Sequence, residues 1–312
     1  MRARRALPLL AAALCACGPM QDNPTQLKDL RVLAMSFEAP ELMAPTCDIN
    51  DPRNLFLFAQ PLQLRALVVD PAGGGRDLAW EVLACASVAD RTCSDPERRV
   101  VVATGTMQPG ELALSHPFGA LSMPGLLGPD GKPLPLLPEV VQKDTYKGLG
   151  GIRMPVVLHV KAGEEEIYAQ KLMVFSCKAF PDQAQNVTPA LTGLKLEGKD
   201  WPEAEAPPLS GPGPFAVEPD DFSGSEEPYV VSSFELQPVQ LQESWTLAWY
   251  VTAGRMEREQ TGGTDPDGTE IRPGNTWVPA RDQPAGEVTF HVVVRDGRGG
   301  TSWYTRRAQY TP

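Results

Sequence analysis

Reactive chemistry in this chain would fall to very few residues. There are three histidines, His116, His159 and His291, and histidine is the side chain whose ordinary pKa lies nearest neutrality. No HExxH zinc motif, GxSxG nucleophile elbow, Walker-type phosphate loop or GxGxxG turn accompanies them. His159 and His291 hold matching outward positions on two strands of one pattern, so they read as solvent-facing strand residues. Carboxylates are more plentiful. Ten acids and no Lys or Arg lie from Asp200 through Gly254, densest at Glu218, Asp220, Asp221, Glu226 and Glu227. A second run, Asp265-Pro266-Asp267-Gly268-Thr269-Glu270, offers Asp265, Asp267 and Glu270 to calcium, an ion that takes about six to eight oxygens. Neither stretch fits an EF-hand loop. The first reads as a solvated acidic loop and the second as an Asp-Gly turn. No catalytic residue, metal or cofactor is implied, and the expectation is a protein that is not an enzyme.

The amino terminus carries a more specific pattern. Arg2, Arg4 and Arg5 precede a short apolar run from Ala6 to Leu14, and Leu14-Cys15-Ala16-Cys17-Gly18 follows. The run is too short to span a bilayer and has the basic flank of a signal peptide. Together these residues resemble the lipobox of bacterial lipoproteins. The resemblance implies that residues 1–16 are a signal peptide and that Cys17 becomes the first mature residue, acylated on its thiol and amine. Two or more chains, palmitate among them, would make anchoring stable where one is marginal. Gly18, where retention at the inner membrane would favour Asp, implies the outer membrane of a Gram-negative envelope. Residues 17–27 then read as a lipidated tether, whose last ten residues reach roughly 35 Å when extended.

Charge supports that address. The chain carries a formal −11, and loss of the three arginines with residues 1–16 leaves −14. An acidic body argues against nucleic acid and against electrostatic docking on anionic lipid, since both require clustered Lys and Arg. The expected partners are the membrane, through the lipid alone, and an envelope protein or a glycan.

In an exported protein the four remaining cysteines, Cys47, Cys85, Cys93 and Cys177, read as two disulfides, and three pairings are open. No CxxC pair exists, which makes a zinc site the weaker reading. Cys85 and Cys93 flank a short polar loop that they could staple.

The elements holding these residues are strands. Leu62, Leu64, Ala66 and Val68 alternate with Gln63, Arg65 and Leu67 before an Asp-Pro-Ala-Gly-Gly-Gly turn. Ile152, Met154, Val156, Leu158 and Val160 alternate in the same way, and Ile167 to Phe175 returns as their hairpin partner. The plan recurs: Leu247-Ala248-Trp249-Tyr250-Val251 repeats the Leu-Ala-Trp-x-Val of residues 78–82, and Val288 to Val294 alternates into a final strand, Thr301 to Tyr310. Val230 to Val239 reads as one strand interrupted late by Pro238. Residues 105–150, with seven prolines and eight glycines, read as a long insertion in the first repeat, with a brief strand at Glu111 to Leu114. The expected organisation is a domain over 28–180, a polar linker at 181–189 and a second domain over 190–312.

A tryptophan on an early central strand, a late long hairpin and Greek-key spacing resemble immunoglobulin-like β-sandwiches. The ending His291-Val292-Val293-Val294-Arg295-Asp296-Gly297-Arg298-Gly299-Gly300 resembles the last hairpin of bacterial Ig-like, PKD-like and cadherin-like repeats. The resemblance implies an all-β chain of two tandem sandwiches. It also implies that first and last strands run parallel and end at one pole, which pairs Cys47 with Cys177. Trp80 and Trp249 then belong to the core. Trp201, Tyr229 and Trp277 fall in loops, capping the sandwich ends or offering a sugar- or peptide-contacting surface. The function that follows is a lipid-anchored binding, adhesion or scaffold protein, with the 105–150 insertion as its contact. The alternative is a carbohydrate- or peptidoglycan-contacting protein using loop aromatics and carboxylates.

Overall fold

The computed structural model describes residues 23–48, 51–118, 136–146 and 148–312; residues 1–22, with the lipobox and Cys17, lie outside them. Among the described residues the chain is all-β apart from two short α-helices and brief 3-10 turns, and its strands form two sandwiches. In the first, β1 (Arg31–Phe37), β3 (Leu62–Val69) and β6 (Gly110–His116) form one antiparallel sheet in the order β1-β3-β6. The facing sheet runs β2 (Glu41–Ala44), β8 (Glu165–Cys177), β7 (Ile152–Ala162), β4 (Leu78–Cys85), β5 (Arg99–Met107). Only β2 and β8 are parallel within it.

The second sandwich repeats that order. One sheet centres on β9 (Leu194–Leu196), β12 (Phe215–Pro219) and β18 (Asn275–Val278), flanked by β10 (Lys199–Asp200) and β16 (Arg255–Met256). The other runs β11 (Pro208–Ser210), β20 (Thr301–Thr311), β19 (Gly286–Arg295), β15 (Thr246–Val251), β17 (Gln260–Gly262), with β11 parallel to β20. Both sandwiches therefore share the immunoglobulin-like Greek key, in which a parallel first-strand segment borders the last strand. The Leu-Ala-Trp-x-Val motif lies on β4 and on β15, equivalent strands of equivalent sheets. Each sandwich buries its own apolar cluster, around Phe37, Leu64 and Met154 in one and Trp201, Trp249 and Trp277 in the other.

Parallel pairing places Ala44 opposite Cys177, which brings the strand ends together, and Cys47 bonds Cys177 while Cys85 bonds Cys93. A disulfide that ties strand ends in this way is typically worth about 2–4 kcal/mol.

Four expectations require correction. The insertion does not begin at 105: β5 runs through Met107, and the brief strand expected at Glu111 to Leu114 is the longer β6, which pairs with β3 from Val68↔Gly110 to Leu62↔His116. The alternation that buries Leu112 drives this, and Pro/Gly density over the longer window conceals it. Between β6 and β7 a helix, Leu136–Lys143, sends Val140 into the core. Val230–Val239 is not one strand but a hairpin, β13 (Pro228–Ser232) and β14 (Pro238–Gln242). Its turn is closed by the Ser233 hydroxyl, which accepts from Glu235 and Gln237 N–H, with Leu236 at φ 59°. The tether is bound at residues 25–27: Leu27 N–H donates to the Val251 carbonyl and Val251 N–H to the Thr25 carbonyl, burying Thr25 and Leu27. Finally, the 181–189 stretch holds a buried Asn186, whose amide donates to Asp296.

The two sandwiches pack against each other. Leu33, Ala34, Leu67 and Val69 on the outer face of the first meet Ala248, Val293 and Trp303 of the second, with Leu27 in the seam. Leu67, placed on the polar face of its strand by alternation, finds its burial here.

Candidate functional site

Beside this seam lies an open groove of about 1300 Å³. Outward-facing Leu172 and Val174 of β8 form one wall, and Tyr146 with residues 148–153 the next. Tyr229 and Val231 of β13 stand opposite, and the turn at Gly297–Gly299 closes one end. The groove exists because that turn is held in place. Asp296, buried, accepts from Arg298 N–H at 2.7 Å, Gly300 N–H at 2.9 Å and the Asn186 amide at 2.8 Å. A Cβ on Gly300 would lie 2.0 Å from the Asp296 carboxylate, so only glycine fits. Arg298 reaches Glu243 at 2.9 Å and stacks 4.2 Å over Tyr229, fixing the hairpin to the turn. Burial, with the Glu243 charge beside it, pushes the Glu227 carboxyl up against the pull of Arg298.

The electrostatics of the groove are unlike those of the chain. Lys171 donates to the Gly299 carbonyl and, at 3.0 Å, to Thr301 Oγ1. Withdrawal from water pushes its amine down to about 8, opposed by Asp296 and reinforced by Arg295. Arg153 donates to the carbonyls of Gly151 and Gly150 and lies 5.8 Å over Tyr146, itself 57% exposed. Among the described residues neither cation is bonded to a carboxylate. In a chain of net −11, two such cations in an apolar groove favour a ligand with apolar surface and an anionic group.

Sequence reasoning missed this site, because its walls come from both sandwiches and from a hairpin with no turn signature. Other expected residues lie elsewhere. His159 is buried rather than solvent-facing: its Nδ1 is 2.8 Å from Glu81, its Nε2 3.1 Å from Glu166, and Tyr168 stacks on it at 4.0 Å. Cross-strand neighbours on an outer face cover it, a consequence of register that no single strand displays. His291 is buried as well, beside a second cavity of about 560 Å³ between the sandwiches. It bonds Thr305, and burial pushes its ring down to about 4, so it is neutral. His116 packs edge-on to Phe118, 5.3 Å away, and burial lowers its pKa.

The aromatics are redistributed too. Trp201, in the loop after β10, and Trp277 are both core residues, and their indoles donate to the Arg307 and Ala253 carbonyls. Trp277 lies on β18 and Tyr229 on β13, and only the latter borders the groove. Trp249 is buried, while Trp80 is half-buried, with its ring against Gly105 of β5. Asp265 and Asp267 accept from Thr269 N–H, at 2.9 and 3.2 Å, and Glu270 bridges back to Thr264, forming a turn. No group of three metal ligands occurs among the described residues.

No family profile and no curated protein matches this chain. Three solved structures are similar to parts of it. An elastase-activated alpha-2-macroglobulin of Escherichia coli aligns at 10% identity and TM-score 0.26, over 92% of this chain and 22% of its own. Dimeric latent PorU of Porphyromonas gingivalis aligns at 11% and 0.23, over 91% and 24%. The two tandem V-type regions of VCBP3, a v-region-containing chitin-binding protein, align at 12% and 0.26, over 89% and 99%. At such scores the likeness carries no argument, and the class of protein rests on the strand order: an all-β chain of two immunoglobulin-like sandwiches.

Proposed function

We propose that this chain is a non-enzymatic binding or scaffold protein of the cell envelope, anchored by a lipid on Cys17, and that it holds its partner in the groove. The supporting observation is the groove itself, where apolar walls surround Lys171 and Arg153, two cations without a carboxylate partner among the described residues. The partner contact proposed for the long insertion narrows to its end, since Tyr146 and residues 148–153 form a wall. Of the rings a glycan reading would use, Trp201 and Trp277 are buried, which leaves it Tyr229 and Tyr146 at the groove. The partner is accordingly an envelope protein presenting an apolar segment with a carboxylate, and the Gram-negative outer membrane is the proposed address.

Affinity recovery from solubilised envelopes tests this. Val174→Glu, which places a carboxylate among the groove's apolar walls, should abolish recovery of the partner while the circular dichroism spectrum is unchanged. Undiminished recovery would move the contact elsewhere.

A further inference from the structure

The β13–β14 hairpin projects from the second sandwich, and β14 is its open edge. All five residues of β14 are exposed, and among the described strands only β13 pairs with it. An unpaired edge invites another strand unless charge, proline or a bulge blocks it. Residues 238–242, Pro-Val-Gln-Leu-Gln, carry no charge in a chain of net −11. Pro238 stands at the first position.

The hydrogen-bond parity of the hairpin decides what can be added. Ser233 N–H donates to the Gln237 carbonyl and Glu243 N–H to the Glu227 carbonyl. Odd-numbered residues of β14 therefore bond inward to β13, and Gln240 and Gln242 aim N–H and C=O outward, with the Pro238 carbonyl beside them. The side chains are sorted as well. Tyr229 pairs with Leu241 and Val231 with Val239, so these four share one face, which runs from the groove to the open edge. Val239 and Leu241 are 38% and 43% exposed there.

We infer that a second copy of this chain docks on β14, edge to edge and antiparallel about a two-fold axis through Gln240. That register is self-complementary. Each Gln240 donates to and accepts from its counterpart, and each Gln242 N–H donates to the Pro238 carbonyl of the second copy, so the missing proline N–H removes none of these four bonds. Val239 faces Leu241 of the second copy twice, forming a four-residue apolar patch. A hetero partner would have to supply this match, whereas a second copy has it by symmetry. One strand pair lies below the roughly 1,200 Å² at which stable interfaces begin, so the dimer is weak in solution and gains from confinement on one surface.

Sedimentation equilibrium of the full chain in detergent, with cysteine cross-linking, tests this. Wild type should show a concentration-dependent dimer. Val239→Arg, which sets an arginine against Leu241 of the second copy on both sides of the axis and brings the two arginines together diagonally, should weaken it by about tenfold or more. Gln240→Cys should cross-link on mild oxidation, because counterparts on the axis sit about 5.5 Å apart, whereas Ser232→Cys on the inner strand should not. A wild type that stays monomeric with no Gln240→Cys dimer would overturn the inference. Equal cross-linking at both positions would do so too, as would exclusive cross-linking to a different envelope protein.

Discussion

Lys171→Met separates a structural amine from one held for a ligand. In the folded protein burial lowers the Lys171 pKa from 10.5 to about 8. At about 1.4 kcal/mol per unit, that difference corresponds to roughly 3 kcal/mol against the charged amine in the fold. Screening through the open groove reduces it to about 1–2 kcal/mol. Because the folded pKa is the lower one, the penalty is complete below pH 8. It is relieved as pH rises from about 8 towards 10.5. Methionine removes the charge but leaves the Gly299 carbonyl and Thr301 hydroxyl without their donor, which costs about 1 kcal/mol. At pH 7 the variant should therefore match wild type or exceed it by up to about 1 kcal/mol, and at pH 10 wild type should draw level or lead. Urea unfolding at the two pH values reads both differences, and partner recovery should fall even where stability rises. A variant less stable by about 2 kcal/mol or more at both pH values would refute the reasoning, making the ammonium a structural tie.

Other outcomes follow from single contacts. Cys17→Ala should leave folded protein in the soluble fraction, and its retention in the membrane fraction would exclude the lipid anchor. Gly300→Ala, whose Cβ meets Asp296, should cost about 1–3 kcal/mol in urea melts by overpacking. Leu27→Ala, at a side chain 1% exposed, should cost about 2 kcal/mol or more and open the chain before Leu30 to limited proteolysis. Paired Cys47→Ser and Cys177→Ser substitutions should lower stability by about 2–4 kcal/mol without altering the circular dichroism spectrum.

The sequence made one kind of order legible. Alternation over eight or more residues, as in β3, β7 and β19, gives strand and face directly, because a half-buried strand repeats its environment every second residue. The recurring tryptophan motif gave the repeat, and the parallel ends implied by an Ig-like sandwich gave Cys47–Cys177. What stayed hidden depends on neighbours from elsewhere in the chain. His159 is buried by Tyr168 and by Glu81, a partner from β4. β13 and β14 turn through Ser233 and Leu236, with no glycine or asparagine to mark the turn and a leucine at its left-handed position. Leu27 looks like the end of a polar tether until Val251 receives it. The groove combines all three problems, since no single stretch contains it.

The docking of Thr25–Leu27 also sets where mechanical load enters the molecule. A pull applied at the amino terminus reaches β15 of the second sandwich through two backbone hydrogen bonds and the buried Leu27. It arrives there before it reaches any strand of the first. With Cys17 in a bilayer as proposed, that load comes from the membrane. The strap then acts as a fuse. Tension that peels it away lengthens the lead before either sandwich is strained, and relaxation lets it re-dock.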